Sequence, residues 1–370
     1  MSAIDVVVIG GGAIGCAVAR KAALAGLSVV VVERGTPGAE ASSAAAGMLS
    51  PLAEASGPGP FLDLLLQARE LHPAFAESLR AETGVDVGYG DAGTLYLSLR
   101  ERDDDELERR WSWQSAVGLP IERMDGEEAR RLEPRVNPAV RLALRFRDDH
   151  HVDNRALSSA LWTAAARAGA RFRLGAEAVA LLRRGDRAIG VELAGGERVL
   201  ASEVVLAGGC WAGRLGGLPR PLPVTPVRGQ LMALEAVPPL FRHVVDSPRC
   251  YLVPRAGGRL VAGATVEPGA GFRKAVTPAG LKRLIDGAAE IAPVLRDASI
   301  AETWSGLRPG TPDGLPVLGP DPEVSNLFYA AGHYRNGILL APLTGELIAA
   351  YLLGSTPAID LSPYRPDRFG

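Results

Sequence analysis

Cysteine is scarce in this 370-residue sequence: Cys16, Cys210 and Cys250 stand far apart, with no CxxC spacing. That excludes a disulfide scaffold and a zinc ribbon, and it suits a reducing cytosol. Lysine is scarcer relative to its usual share, since only three of the 40 basic residues are lysine. The arginines that replace it leave many planar, carboxylate-binding forks. There is no basic excess either: Lys+Arg total 40 against 42 Asp+Glu, a net charge of −2, which speaks against nucleic acid as a partner. The longest uncharged run, Val6 to Ala19, is too short to span a bilayer and is broken by glycines, so no integral membrane segment is expected. No basic region precedes an apolar stretch at the N-terminus, which predicts no signal peptide and a cytoplasmic chain. A G-x-S-x-G elbow, an H-E-x-x-H pair and a P-loop are all missing. His150 and His151 are adjacent, so on a strand they point to opposite faces and do not chelate together; no metal is expected. Asp103-Asp104-Asp105 reads as a solvent-facing helix start.

What is present is a soluble globular composition, 47% hydrophobic and 22% charged, of a length that predicts two to three structural units. The opening is the clearest part. Ile4 to Ile9 is a β-branched buried strand, Gly10-x-Gly12-x-x-Gly15 follows, a helix runs from about Ala13 to Ala25, and a second buried strand from Ser28 ends at Glu33. In that context each glycine has a task. Gly10 permits the tight turn, Gly12 lets the backbone approach a pyrophosphate, and Gly15 lets the helix pack on the sheet. The N–H groups at the helix start, from Ala13 and Ile14, offer positive charge to phosphate. Glu33 can accept hydrogen bonds from ribose hydroxyls, with Arg34 beside it. This pattern does not separate FAD from NAD.

Further along, helices are predicted over Phe61–Thr83, Glu101–Val117, from the Asp153-Asn154 cap to about Ala168, over Pro278–Ile291 and from Gly337 to Leu353. Short strands fill Arg171–Leu206, with a hairpin at Gly195-Gly196, and Thr225–Thr265 is strand-rich.

The residues after Glu33 decide between cofactors. Ala41-Ser42-Ser43-Ala44-Ala45-Ala46-Gly47-Met48-Leu49 is a run of small side chains with two hydroxyls, suited to a backbone lying flat against a large ligand. Together with Cys250-Tyr251-Leu252-Val253-Pro254-Arg255, Gly306-Leu307-Arg308-Pro309-Gly310 and Gly332-His333-Tyr334-Arg335-Asn336-Gly337-Ile338-Leu339, it resembles the D-amino-acid oxidase superfamily of FAD enzymes. Within that superfamily the likeness is closest to the glycine oxidase family of the bacterial thiamine pathway, and it covers essentially the whole chain.

The resemblance implies an α/β fold: a Rossmann-type, glutathione-reductase-like FAD-binding domain with an interleaved antiparallel-sheet substrate domain. The FAD-binding domain is expected over 1–88, 148–225 and 300–370, and the substrate domain over 89–147 and 226–299. It implies non-covalent FAD, held by Gly10, Gly12, Ala13, Ile14, Gly15, Glu33, Arg34, Ala41, Ser42, Ala46, Gly47 and Met48. Val179, which alone would read as a core strand valine, matches a position touching the adenine end, and Gly208 a second flavin-side turn. His333, Tyr334, Arg335, Asn336, Gly337, Ile338 and Leu339 start a helix whose dipole would face the flavin.

Flavin oxidation of an amine needs a carboxylate fork and polar positioners, not a nucleophile or a metal. No residue is therefore singled out as catalytic. Arg308 matches the arginine that grips the substrate carboxylate, Tyr251 matches a supporting hydroxyl, and Arg335 contacts substrate or flavin. Arg249, just before Cys250-Tyr251, is read as a second carboxylate-binding group favouring dicarboxylic or bulkier substrates. The implied activity is oxidation of glycine, or of sarcosine or small D-amino acids. The products are an imine and then the 2-oxo acid, with ammonia and hydrogen peroxide; oxygen is the acceptor, and the imine passes to thiazole synthase. A D-amino-acid, sarcosine or proline dehydrogenase using another acceptor stays open, as does a non-catalytic flavin-binding subunit. A homo-oligomer, with a tetramer as one arrangement, is also implied.

Overall fold

A computed structural model describes residues 4–370. Val6–Ile9, four apolar residues with no polar alternation, form a strand buried on both faces at the centre of a six-stranded sheet. Val29–Glu33 and Glu203–Leu206 pair with it in parallel on either side. Arg171–Leu174 extends one edge, and Leu327–Ala331 followed by antiparallel Val317–Pro320 extends the other. The helix Ala13–Leu24 covers one face, and Gly337–Leu352 packs against it, with Gly345 set on the Ala17 backbone. Gly337–Leu352 is buried nearly all round, so it lies inside the molecule beneath the long helix Pro60–Thr83. Asp153 caps Asn154–Arg167 by accepting from the Arg155 and Ala156 N–H groups, an arrangement that stabilises a helix by about 1 kcal/mol. A three-stranded antiparallel sheet, Ala178–Arg184, Arg187–Leu193 and Arg198–Leu200, covers the other face.

The second unit is an eight-stranded sheet. Its order is Ser299–Gly310, Thr225–Glu235, Arg259–Gly263, Tyr251–Pro254, Val244–Asp246, Thr94–Ser98, Leu142–Phe146 and Ile121–Asp125. Its pairs are antiparallel except Val244–Asp246 with Thr94–Ser98. The helix Pro278–Ile291 closes one face with Leu284, Ala288 and Ile291, at helical spacing. Thr277 caps it, accepting from Gly280 N–H at 3.1 Å, and Pro278 occupies the first turn.

Three expectations change. The boundary at 300 falls at the start of the strand Ser299–Gly310, which pairs with Thr225–Glu235 along its length and so belongs to the eight-stranded sheet. Asp103 does not face solvent: it is 4% exposed and ion-paired to Arg249 at 2.7 Å, while Asp104 holds Ser98 and Arg141. Arg249 in turn spends its fork on Asp103 and Glu290, between the helices Glu101–Ala116 and Pro278–Ile291. It is a structural tie and not a carboxylate receptor for substrate.

Candidate active site

Parallel pairing brings the carboxyl ends of Val6–Ile9, Val29–Glu33 and Glu203–Leu206 to one edge. A cleft of about 1800 Å³, part of it open to solvent, begins there and runs to the eight-stranded sheet. Gly10 has φ 101°, and a Cβ on it would strike the Ala207 carbonyl. A Cβ on Gly15 would strike the Gly10 carbonyl, so this glycine seats the helix on the turn. Gly12 differs: its nearest obstacle would be Ser42 Oγ at 3.4 Å, so its missing side chain keeps the cleft open. Ser42 Oγ accepts from Ala13 N–H at 3.0 Å, whereas the Ile14 and Gly15 N–H groups have no partner among the described residues. The Glu33 carboxylate accepts from Gly11 N–H at 2.7 Å and Gly35 N–H at 2.8 Å, which fixes it at the cleft wall. Arg34 stacks over Trp211 at 3.4 Å from the ring centroid and pairs with Glu40 at 3.0 Å.

The small-residue segment crosses the middle of the cleft because its neighbours leave no room for larger side chains. A Cβ on Gly47 would strike the Val152 carbonyl, and Gly306 lies against Ala44. Three side chains fasten this segment. Arg255 donates to Ala46 O at 2.5 Å, Asn154 Nδ2 to Ser42 O at 2.8 Å, and Trp304 Nε1 to Ala44 O at 3.1 Å. Met48 pairs with His151 in a short two-stranded ladder and faces the cleft.

At the far end, glycines on neighbouring strands carve space for two polar side chains. Arg308 lies across Gly229, where a Cβ would collide with its guanidinium, and donates from Nη1 to Thr265 O at 3.1 Å. Tyr251 lies across Gly263 in the same way. Burial pushes its hydroxyl up to about 12, so it is a hydrogen-bond donor at neutral pH. Tyr334, a non-glycine residue at φ 48°, turns the chain into the helix Gly337–Leu352 and donates its N–H to Pro309 O at 2.9 Å. That bond ties the helix start to the Arg308 strand. The N–H groups of Gly337, Ile338 and Leu339 have no partner among the described residues. His333 is buried, which pushes it down to about 3, and its Nε2 meets Thr344 Oγ1 at 3.1 Å, so it is neutral. Arg335 pairs with Glu54 at 2.8 Å.

The cleft therefore gathers Gly10, Gly12, Ala13, Ile14, Glu33, Arg34, Ala41, Ser42, Ala46, Gly47, Met48, Gly208, Tyr251, Arg308 and His333 through Ile338. Three residues expected there do not line it. Gly15 faces the Gly10 backbone, and Leu339 turns into the core. Val179 is 38% exposed and gives its carbonyl to Gly216 N–H, while Ala176, Glu177 and Ala178 form the rim. Glu54, Trp211, Arg255 and Gly229 also shape the cleft and its walls, though no sequence motif assigned them there. Arg255 closes the Cys250–Arg255 motif; Glu54 and Trp211 stand in no recognisable pattern.

The DAO family profile, described as FAD dependent oxidoreductase, matches residues 5–351. Glycine oxidase of Geobacillus kaustophilus (strain HTA426) is 41% identical over 363 residues, which is 97% of this chain and 96% of that protein. The crystal structure of glycine oxidase from Geobacillus kaustophilus superposes with a TM-score of 0.94 at 40% identity, covering 98% of this chain and 97% of that one. The bifunctional protein ThiO/ThiG of Synechocystis sp. (strain ATCC 27184 / PCC 6803 / Kazusa) is 39% identical over 99% of this chain, which spans 54% of that relative's length.

Proposed function

Since the chain belongs to the DAO family of FAD-dependent oxidoreductases, we propose that it oxidises glycine to the imine, which water hydrolyses to glyoxylate and ammonia while oxygen becomes hydrogen peroxide. The cleft fits FAD: two helix starts present unpartnered N–H groups, Gly12 leaves the backbone bare, and Glu33 stands at the ribose end. FAD held in this cleft would supply a two-electron acceptor that oxygen can reoxidise. The residues expected around it hold it without a covalent bond.

The observation that carries the reading is Arg308. Among the described residues three arginines line the cleft; Arg34 and Arg335 each pair with a carboxylate there, and Arg308 pairs with none. A half-buried guanidinium fork held by one backbone carbonyl is a receptor for a substrate carboxylate. Tyr251 donates its hydroxyl to the same group. Together they hold the amino acid still with its Cα toward the cleft's centre, and positioning is the main demand of this reaction. Glycine oxidases among the relatives support glycine as the substrate. Fused ThiO/ThiG relatives support transfer of the imine to a partner that builds on it.

Anaerobic titration of the purified holoprotein with glycine tests the reading. Rapid bleaching of the oxidised-flavin absorbance is the expected result. A yellow protein that bleaches only with sarcosine, proline or a D-amino acid would move the substrate, and one that bleaches with none would end the proposal.

A further inference from the structure

Glu54 belongs to no motif, yet the backbone turn that carries it is held by three side chains from elsewhere in the chain. It ends the single helical turn Pro51–Glu54. Asp149, fully buried, accepts from the turn's Leu52 and Ala53 N–H groups at 3.3 and 2.9 Å. Arg110 Nη1 donates to the Leu52, Ala53 and Ala55 carbonyls at 3.1, 2.6 and 3.2 Å, and Gln114 donates to Leu52 O at 2.8 Å. A carboxyl acceptor at the first N–H groups and a guanidinium donor at the last carbonyls hold a turn too short to stand alone. The clamp delivers the Glu54 carboxylate to Arg335 Nη2 at 2.8 Å, within the cleft end that holds Tyr251 and Arg308. Asp246, paired with Tyr251 across the sheet, adds a second carboxyl to the surroundings of Arg335.

The consequence is a count of charges. The substrate end contains two guanidinium groups, one cancelled and one free. We infer that Glu54 is a specificity-determining residue: by occupying Arg335 it leaves Arg308 as the single free fork, so the site accepts amino acids with one carboxylate and discriminates against dicarboxylates. A dicarboxylate would have to displace Glu54 or leave its second charge against it. Selectivity by a built-in repulsion of this kind needs no extra contact with the favoured substrate. The inference rests on the assignment of Arg308 to the substrate carboxylate made above.

Acetate and malonate, which carry no amine to oxidise, report on this charge count through their perturbation of the flavin spectrum. In the wild-type holoprotein acetate should bind at least as tightly as malonate. Glu54→Gln should tighten malonate tenfold or more and change acetate less than threefold, and adding Arg335→Met should abolish the gain. Equal changes for both acids, or a gain that survives without Arg335, would overturn the inference. Should Glu54→Gln fail to fold, Arg335→Met alone decides. It strands Glu54 unpaired, so it should weaken malonate at least tenfold more than acetate, and equal weakening would overturn the idea. A protein that passes these tests but is not reduced by glycine would lose the proposed reaction and keep the charge filter.

Discussion

Arg308 and Arg249 look alike in a chain this rich in arginine, and their partners separate them. Arg308 is picked out in the sequence only by the glycine-flanked motif in which it stands. Arg249 was misread because its partner Asp103 is 146 positions away, a separation no local pattern reports. Glu54 was invisible for the same reason: an Ala-Glu-Ala step carries no signal until Arg335 arrives from the other end of the chain. Truncation tests the free fork. Arg308→Ala removes charge-assisted hydrogen bonds worth about 1.5–3 kcal/mol, so the KM for glycine should rise roughly 10- to 100-fold with the flavin still bound. Steady-state kinetics beside the flavin-to-protein absorbance ratio reads both, and an unchanged KM would remove Arg308 from the site.

Elements that announce themselves by caps or periodicity were readable: the glycine turn with its helix, the Asp153 cap, Pro278–Ile291 after Thr277, and the apolar helix from Gly337. The strand Ser299–Gly310 was not, because its first half is largely exposed and shows little apolar alternation; it forms by pairing with a distant strand. Within the glycine turn the glycines should respond differently. Gly12→Ala meets only Ser42 Oγ, at an ordinary contact distance of 3.4 Å, so the apoprotein should fold with unchanged circular dichroism while its affinity for FAD falls tenfold or more. Gly15→Ala forces a Cβ into the Gly10 carbonyl and should destabilise the apoprotein itself by about 1–3 kcal/mol. Denaturant titration and FAD titration of both variants separate the two costs.

The turn carrying Glu54 makes a pH prediction. Burial pushes Asp149 up to about 7, against the hydrogen bonds from Ala53 and Leu52 and the nearby Arg69 charge. Because the native carboxyl keeps its proton where the unfolded one has lost it, this group's contribution is fully present below about pH 4. It is lost as pH rises through 7. Asp149→Asn keeps an acceptor for the cap and cannot ionise. Its unfolding free energy should therefore fall less steeply than the wild type's between pH 4 and 7, and an equally steep fall would assign the slope to other groups.

At the scale of the whole molecule the cleft is where two sheets meet, and most of what closes it is side-chain chemistry between segments far apart in sequence. Tyr334 ties the six-stranded unit to Pro309 of the other sheet, Trp211 stacks near Phe272, and Lys274 pairs with Glu40 at 2.9 Å. The α/β class and the interleaving of two units were readable from the order of elements. The boundary near 300 was not, since the strand that crosses it reveals its sheet only through its partner. A ligand lying in such a cleft touches both units, so it should stabilise them as one. Removing FAD should lower the midpoint of thermal unfolding. Restoring it at 100 times its Kd should return roughly 2.7 kcal/mol, with the midpoint climbing steadily as free FAD increases. Trp211→Ala, which takes away the ring beneath Arg34, should shift that dependence to higher FAD concentration and leave the apoprotein midpoint nearly where it was. Scanning calorimetry across an FAD series measures both, and a midpoint indifferent to FAD would mean that the cofactor does not bridge the two sheets.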